Sequence, residues 1–144
     1  MKIAIGCDHA GFSYKEAIKV FLTRKGIEVL DLGTNSEESV DYPDFAHLVS
    51  DAVTKKQASF GILICGTGNG VCISANKHEA IRAGLCWDPE IAKLIRQHND
   101  ANVMCLSARF SSELTCIACV DAFIATSFEG GRHQRRVDKI TCPA

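Results

Sequence analysis

Ile62-Leu63-Ile64-Cys65-Gly66-Thr67-Gly68-Asn69-Gly70 is the stretch on which the fold turns. An apolar run ends in a cysteine and enters a loop with three glycines. Val71-Cys72-Ile73-Ser74-Ala75, which suits a helix, follows. This is the strand–loop–helix step of an α/β domain. The same rhythm extends in both directions. Strands are predicted over 2–7, 28–32, 60–65, 82–86 and 103–106. Between them lie a helix over 12–25 stopped by Gly26 and a second opened by Pro43. A third opens within 68–71 and runs through Ala75. A fourth follows Asp88-Pro89 and ends near His98, and a fifth covers 112–126. A sixth, over 132–140, is expected to pack on a partner chain. Connections that leave the C-terminal ends of parallel strands share one edge, and ligands bind there. That edge should carry Gly6-Cys7-Asp8-His9-Ala10-Gly11, Gly33-Thr34, the loop 65–70 and Trp87-Asp88.

The 144 residues suit one domain, and no repeat, linker or composition break divides them. Lys plus Arg is 16 and Asp plus Glu is 17, a net charge of -1. Broad nucleic-acid binding needs a denser cationic surface than that. No apolar run approaches bilayer length. Eight cysteines invite a disulfide reading. The N-terminal Met1-Lys2-Ile3-Ala4-Ile5-Gly6, however, is too short for a secretory core, so a cytoplasmic location is expected, with most thiols acting as small buried hydrophobes. Cys116-Ile117-Ala118-Cys119 is a CxxC without a second pair, flanked by Leu114, Val120 and Phe123, and reads as helix packing rather than as a metal or redox site.

The glycine loop lacks the Gly-Lys-Ser/Thr of a Walker loop. It also fails the dinucleotide fingerprint, because Val71 stands at the third glycine position. What remains is a cradle for a small anion or oxyanion, since glycines admit close approach and a helix start offers unpaired N–H groups. A cysteine closing an apolar strand is by default a core residue. The glycine-rich neighbourhood and the adjoining helix start make Cys65 a candidate thiolate as well. Asp8-His9 at the same edge can bind sugar hydroxyls or move protons, while Asp8 can equally cap a helix. Arg132 and Arg136, four apart, share a helical face that could clamp phosphate, with Arg109 a possible third contact. His98 precedes a strand and so belongs at the edge opposite Cys65. A joint role therefore requires a second subunit.

The ordered set Gly6-Cys7-Asp8-His9-Ala10-Gly11, Asp41-Tyr42-Pro43, Ile64–Gly70, Ala75-Asn76-Lys77, 96–102 and 129–136 resembles the type B ribose-5-phosphate isomerases, relatives of the galactose-6-phosphate isomerase subunits. The resemblance spans nearly the whole chain. It implies a three-layer α/β/α, Rossmann-like sandwich with a five-stranded parallel sheet in the order 2-1-3-5-4. It also implies a homodimer with shared sites, sometimes a dimer of dimers, and no metal or organic cofactor. The implied reaction is the interconversion of D-ribose 5-phosphate and D-ribulose 5-phosphate, a step of the pentose phosphate pathway. By position, Cys65 is the base. Some relatives place a glutamate base later in the loop, where this chain has Val71. His98 opens the furanose ring with help from Asp8. Thr67 and the amides of Gly66, Gly68, Asn69 and Gly70 hold the enediolate oxygens. His9, Arg109, Arg132 and Arg136 bind phosphate, and Tyr42 and Asn99 contact the sugar. The nearest rival is the same chemistry on a hexose 6-phosphate. A rival of another class is a non-catalytic sugar-phosphate sensor, against which the joint presence of Cys65, Thr67 and His98 speaks.

Overall fold

The computed structural model describes residues 1–141. Five parallel strands, β1 (Lys2–Cys7), β2 (Glu28–Asp31), β3 (Phe60–Cys65), β4 (Ala83–Leu85) and β5 (Val103–Ser107), form one sheet in the order β2-β1-β3-β5-β4. The helices are α1 (Phe12–Arg24), α2 (Tyr42–Thr54), α3 (Asn69–Ala75), α4 (Pro89–Asn99), α5 (Glu113–Ile124) and α6 (Arg132–Val137), with a 3-10 turn at His9–Gly11. Both faces of the sheet are covered, so its strands are apolar throughout. Alternation along each strand divides the core in two. Ile3, Ile5, Cys7, Ile62, Ile64, Met104 and Leu106 meet α1, α4 and α5 on one side. Ala4, Leu63, Cys65, Val103 and Cys105 meet α2 and α3 on the other. None of the described helices is long and apolar enough to cross a membrane.

The expected strands and helices are all present, with shifted ends. β4 is shorter than 82–86 because it is an edge strand that pairs with β5 alone, over Ala83↔Val103 to Leu85↔Cys105. β5 runs one residue further than expected, since Ser107 pairs with Cys65. α6 stops at Val137 rather than 140. Beyond it, Lys139 and Ile140 donate to carbonyls three residues back, which tightens the chain out of α-helical geometry. In α1, Ile18 and Leu22 are buried as the apolar spacing requires, but so is the whole side chain of Lys15. Its ammonium lies 2.7 Å from Asp31 at the end of β2.

Candidate active site

β1 and β3 deliver their loops to one edge. Asp8 leaves β1 with its amide donating to the Ile64 carbonyl at 3.2 Å. Its Oδ1 accepts the N–H groups of Ala10 (3.0 Å) and Gly11 (3.2 Å), so the capping role is real and Oδ2 is left outside it. Gly11 permits this approach, because a Cβ there would stand 2.7 Å from the Ile64 carbonyl oxygen. His9 is held by the Val40 N–H, which donates to its Nδ1 at 3.3 Å.

The loop after β3 is fixed from beneath. Cys65 retains 4% exposure, and its Sγ accepts the Gly68 N–H at 3.1 Å, which sets the side-chain rotamer. Gly68 has φ +77°, and a Cβ on it would lie 2.4 Å from Leu85, so conformation and space both demand glycine. The Gly66 carbonyl is turned toward β5, accepting from Ser107 Oγ at 2.8 Å and from the Arg109 amide at 3.0 Å. In a trans peptide the Thr67 N–H must then point the other way, away from β5. Thr67 is exposed, and its Oγ1 accepts the Asn69 N–H at 3.2 Å. Arg109 folds over the loop so closely that a Cβ on Gly66 would be 3.2 Å from its guanidinium. Tyr42, at the start of α2, lies over Gly70, where a Cβ would meet its ring at 2.6 Å. Asp8, His9, Tyr42, residues 65–70 and Arg109 are thus gathered at one edge. A cavity of about 320 Å³ lined by Thr67, Asn69, Trp87 and Phe110 borders the loop.

His98, Asn99, Arg132 and Arg136 are gathered elsewhere. His98 and Asn99 close α4, whose chain then enters β5 at its N-terminal end. His98, Asn99, His133 and Arg136 line a second cavity of about 250 Å³. No hydrogen bond or ion pair among the described residues joins this group to the glycine loop. His133 was missed by sequence reasoning, which drew only Arg132 and Arg136 from this segment. Its ring stacks on His98 with centroids 4.3 Å apart and planes 12° from parallel. Burial first, and then the charges of His98 and Arg132, hold its pKa below the ordinary imidazole value. His98, Glu129 and His133 bring potential ligand atoms within 4.8 Å of one another. Rings so nearly parallel aim their lone pairs side by side rather than at one point, and Arg136 lines the same cavity. An anion suits such a surface better than a metal cation.

The family model described as Ribose/Galactose Isomerase matches residues 3–140. The chain belongs to that family. Within the ribose/galactose isomerases it groups with the type B ribose-5-phosphate isomerases. It is 49% identical to ribose-5-phosphate isomerase B of Escherichia coli over 140 residues, which is 97% of this chain and 94% of that protein. A Clostridium thermocellum ribose-5-phosphate isomerase B superposes with TM-score 0.96 at 46% identity, covering 97% of this chain and 95% of that one. The Mycoplasma genitalium enzyme, solved with bound ribulose-5-phosphate, gives 0.93 at 50% identity, covering 96% and 93%.

Among the described residues, most of the other thiols of this family member are packing. Cys116 and Cys119 are fully buried, and burial pushes them up to about 11 and about 12. Cys7 and Cys86 rise to about 12 for the same reason. Cys72, half-buried on α3, goes the other way, drawn below its ordinary value first by a hydrogen bond with Cys105. Brief treatment of the folded protein with a maleimide near neutral pH should therefore label Cys72 well before Cys7, Cys86, Cys116 or Cys119, as read by peptide mass mapping. Simultaneous labelling of all five would contradict the packing assignment. Cys142 lies outside the described residues.

Proposed function

We propose that residues 1–144 form one cofactor-independent aldose–ketose isomerase domain that interconverts D-ribose 5-phosphate and D-ribulose 5-phosphate through a cis-enediolate. The observation that carries the reading is a thiol held at the floor of a glycine loop whose Thr67 amide is aimed by the anchored Gly66 carbonyl, in a chain half identical to enzymes of that name. Removing a proton from carbon beside a carbonyl leaves negative charge on oxygen. Preorganised N–H donors must meet that charge, each contributing about 3–4 kcal/mol to the barrier. The Thr67 amide and hydroxyl and the Gly70 amide fill that role, the Gly68 and Asn69 N–H groups being held by Cys65 Sγ and Thr67 Oγ1. Cys65 Sγ takes the proton from one carbon of the planar enediolate and returns it to the next. Phosphate supplies remote binding energy that places those carbons over the sulfur. Arg109 serves it from the loop side, with His9. Tyr42 and Asn99 contact the sugar. A cytoplasmic setting accords with seven free thiols among the described residues.

Ring opening needs a proton donor, and His98 with Asn99, Arg132 and Arg136 sits away from the loop of its own chain. A second copy, docked with its His98 cavity over this loop, completes each site, and the functional unit is a homodimer. Two inactive variants test this. Cys65→Ala and His98→Ala should each have little activity alone. Unfolded together and refolded at equal concentration, they form mixed dimers carrying one intact site and one doubly damaged site. About half the dimers are mixed, so about a quarter of wild-type activity should return, by the two-fold symmetry of the interface. A mixture no more active than its parents would place both residues within one subunit's site, or leave one of them without a role.

A further inference from the structure

His98 poses a problem of orientation. A catalytic imidazole is ordinarily aimed by a hydrogen bond on the ring nitrogen it does not use. No side-chain hydrogen bond reaches the His98 ring among the described residues, and it is only half-buried in the last turn of α4. What it does have is a flat partner. His133 lies against it at 4.3 Å and 12°, and His133 is itself 5% exposed, so it is braced where His98 is not. The brace is built locally. The His133 amide donates to the Gly130 carbonyl at 3.0 Å, and the Glu129 amide donates to Gln97 at 3.1 Å, pinning the turn before α6 to the last turn of α4. His133 Nε2 has no hydrogen-bond partner, its nearest carboxylate oxygen being Glu129 Oε2 at 3.4 Å.

We propose that His133 is the positioning residue for His98: its buried ring is the plane against which the His98 imidazole is held during opening of the sugar ring. The proposal rests on the ring-opening role given to His98 above. The surroundings favour a neutral platform. Burial, then His98 itself and the cations Arg132 and Arg136, work against a charge on His133, with Glu129 opposing them from the preceding turn. A neutral His133 places no charge beneath the His98 ring.

The sugar chemistry separates this role from others. Opening ribofuranose breaks the C1–O4 bond; O4 gains a proton, and the hydroxyl on C1 loses one as the aldehyde forms. Ribulose 5-phosphate has no furanose form, because its C5 oxygen is esterified. Its C1 hydrogen therefore exchanges with solvent deuterium through proton transfer at carbon alone. His133→Leu keeps apolar volume and loses the plane; His133→Phe keeps both. His133→Leu should slow ribose 5-phosphate conversion roughly 3- to 10-fold, the worth of one aromatic stack. It should leave deuterium entry into ribulose 5-phosphate within about 2-fold of wild type, because that stack does not touch the carbon-proton step. His133→Phe should recover most of the conversion rate. Equal loss of conversion and exchange in His133→Leu would overturn the proposal, since a phosphate contact or a slipped α6 harms both. So would a Phe variant as slow as the Leu one, or a Leu variant as fast as wild type. His98→Ala, run alongside, must lose conversion and keep exchange. If it does not, the ring-opening role itself falls and His133 loses its purpose with it.

Discussion

Cys65→Ala should lower kcat for ribose 5-phosphate by roughly 10²- to 10⁴-fold, the usual contribution of a positioned general base. The Michaelis constant should move little. The sulfur sits at the end of β3 with 4% exposure, and nothing about it suits phosphate binding. The basic groups, by contrast, lie on Arg109 and on α6. The variant should also keep its fold. Alanine removes one sulfur from the core cluster that also holds Val71 and Ala75, and the loop retains its fastenings at Ser107 and Arg109. One bond is lost, that from the Gly68 amide to Sγ. Steady-state kinetics with a ketose assay, together with a melting curve, decides the matter. Turnover within a few-fold of wild type in a folded variant would remove Cys65 as the base. A large rise in the Michaelis constant at unchanged kcat would make it a binding residue. Arg136→Ala should show the opposite split, mainly a weaker Michaelis constant, because a remote guanidinium supplies binding before it supplies rate.

The fold was legible because its signals are local and agree with one another. The apolar run Ile62-Leu63-Ile64-Cys65 marked a strand, glycines marked the loop, and Asp88-Pro89 marked the start of α4, whose Asp88 side chain accepts the Glu90 N–H at 2.8 Å. Only the ends of elements shifted, where a partner strand or a tightened turn, not local preference, sets the limit. The gathering of Asp8, His9 and the loop 65–70 at one edge was equally legible, since loops after parallel strands must share an edge. Two features were not. His133 matters through a ring stacked on it from α4, and a sequence shows neither stacking nor burial. The run of Arg132, Arg135 and Arg136 drew attention to charge instead. Lys15 falls on the α1 face that also carries Ile18 and Leu22, but a pattern that scores apolar residues passes over a lysine there. Its burial becomes reasonable only once β2 brings Asp31 beside it.

Asp31→Asn should therefore cost the protein roughly 3–5 kcal/mol of stability, the usual penalty for removing one partner of a buried ion pair. Lys15 has no exposed side-chain surface, and its Nζ lies 2.8 and 2.7 Å from the two Asp31 oxygens and 3.0 Å from Glu16. Lys19 adds a contact to Asp31 at 2.5 Å, and the Gly33 amide donates to Oδ1 at 3.0 Å. Asparagine keeps the size and one acceptor oxygen but leaves the ammonium facing only Glu16, which is itself nearly half-exposed. For a domain whose total stability is about 5–15 kcal/mol, such a loss is a large fraction. The acid side should differ too. Burial resists the Asp31 charge, but the bonds from Lys15, Lys19 and Gly33 outweigh it and hold the carboxyl below its ordinary 3.8. A depressed carboxylate contributes fully above its unfolded value and loses that contribution as pH falls through the folded one. Wild-type stability should thus drop below about pH 4, while Asp31→Asn, already lacking the pair, should decline less steeply there. Glu16, also lowered, first by its bond with Lys15, leaves part of the slope in place. Urea unfolding at neutral and acid pH measures both effects. A cost under about 1 kcal/mol at neutral pH would mean that Lys15 sheds its proton or reaches solvent once Asp31 is gone, and that the pair does not hold α1 to β2.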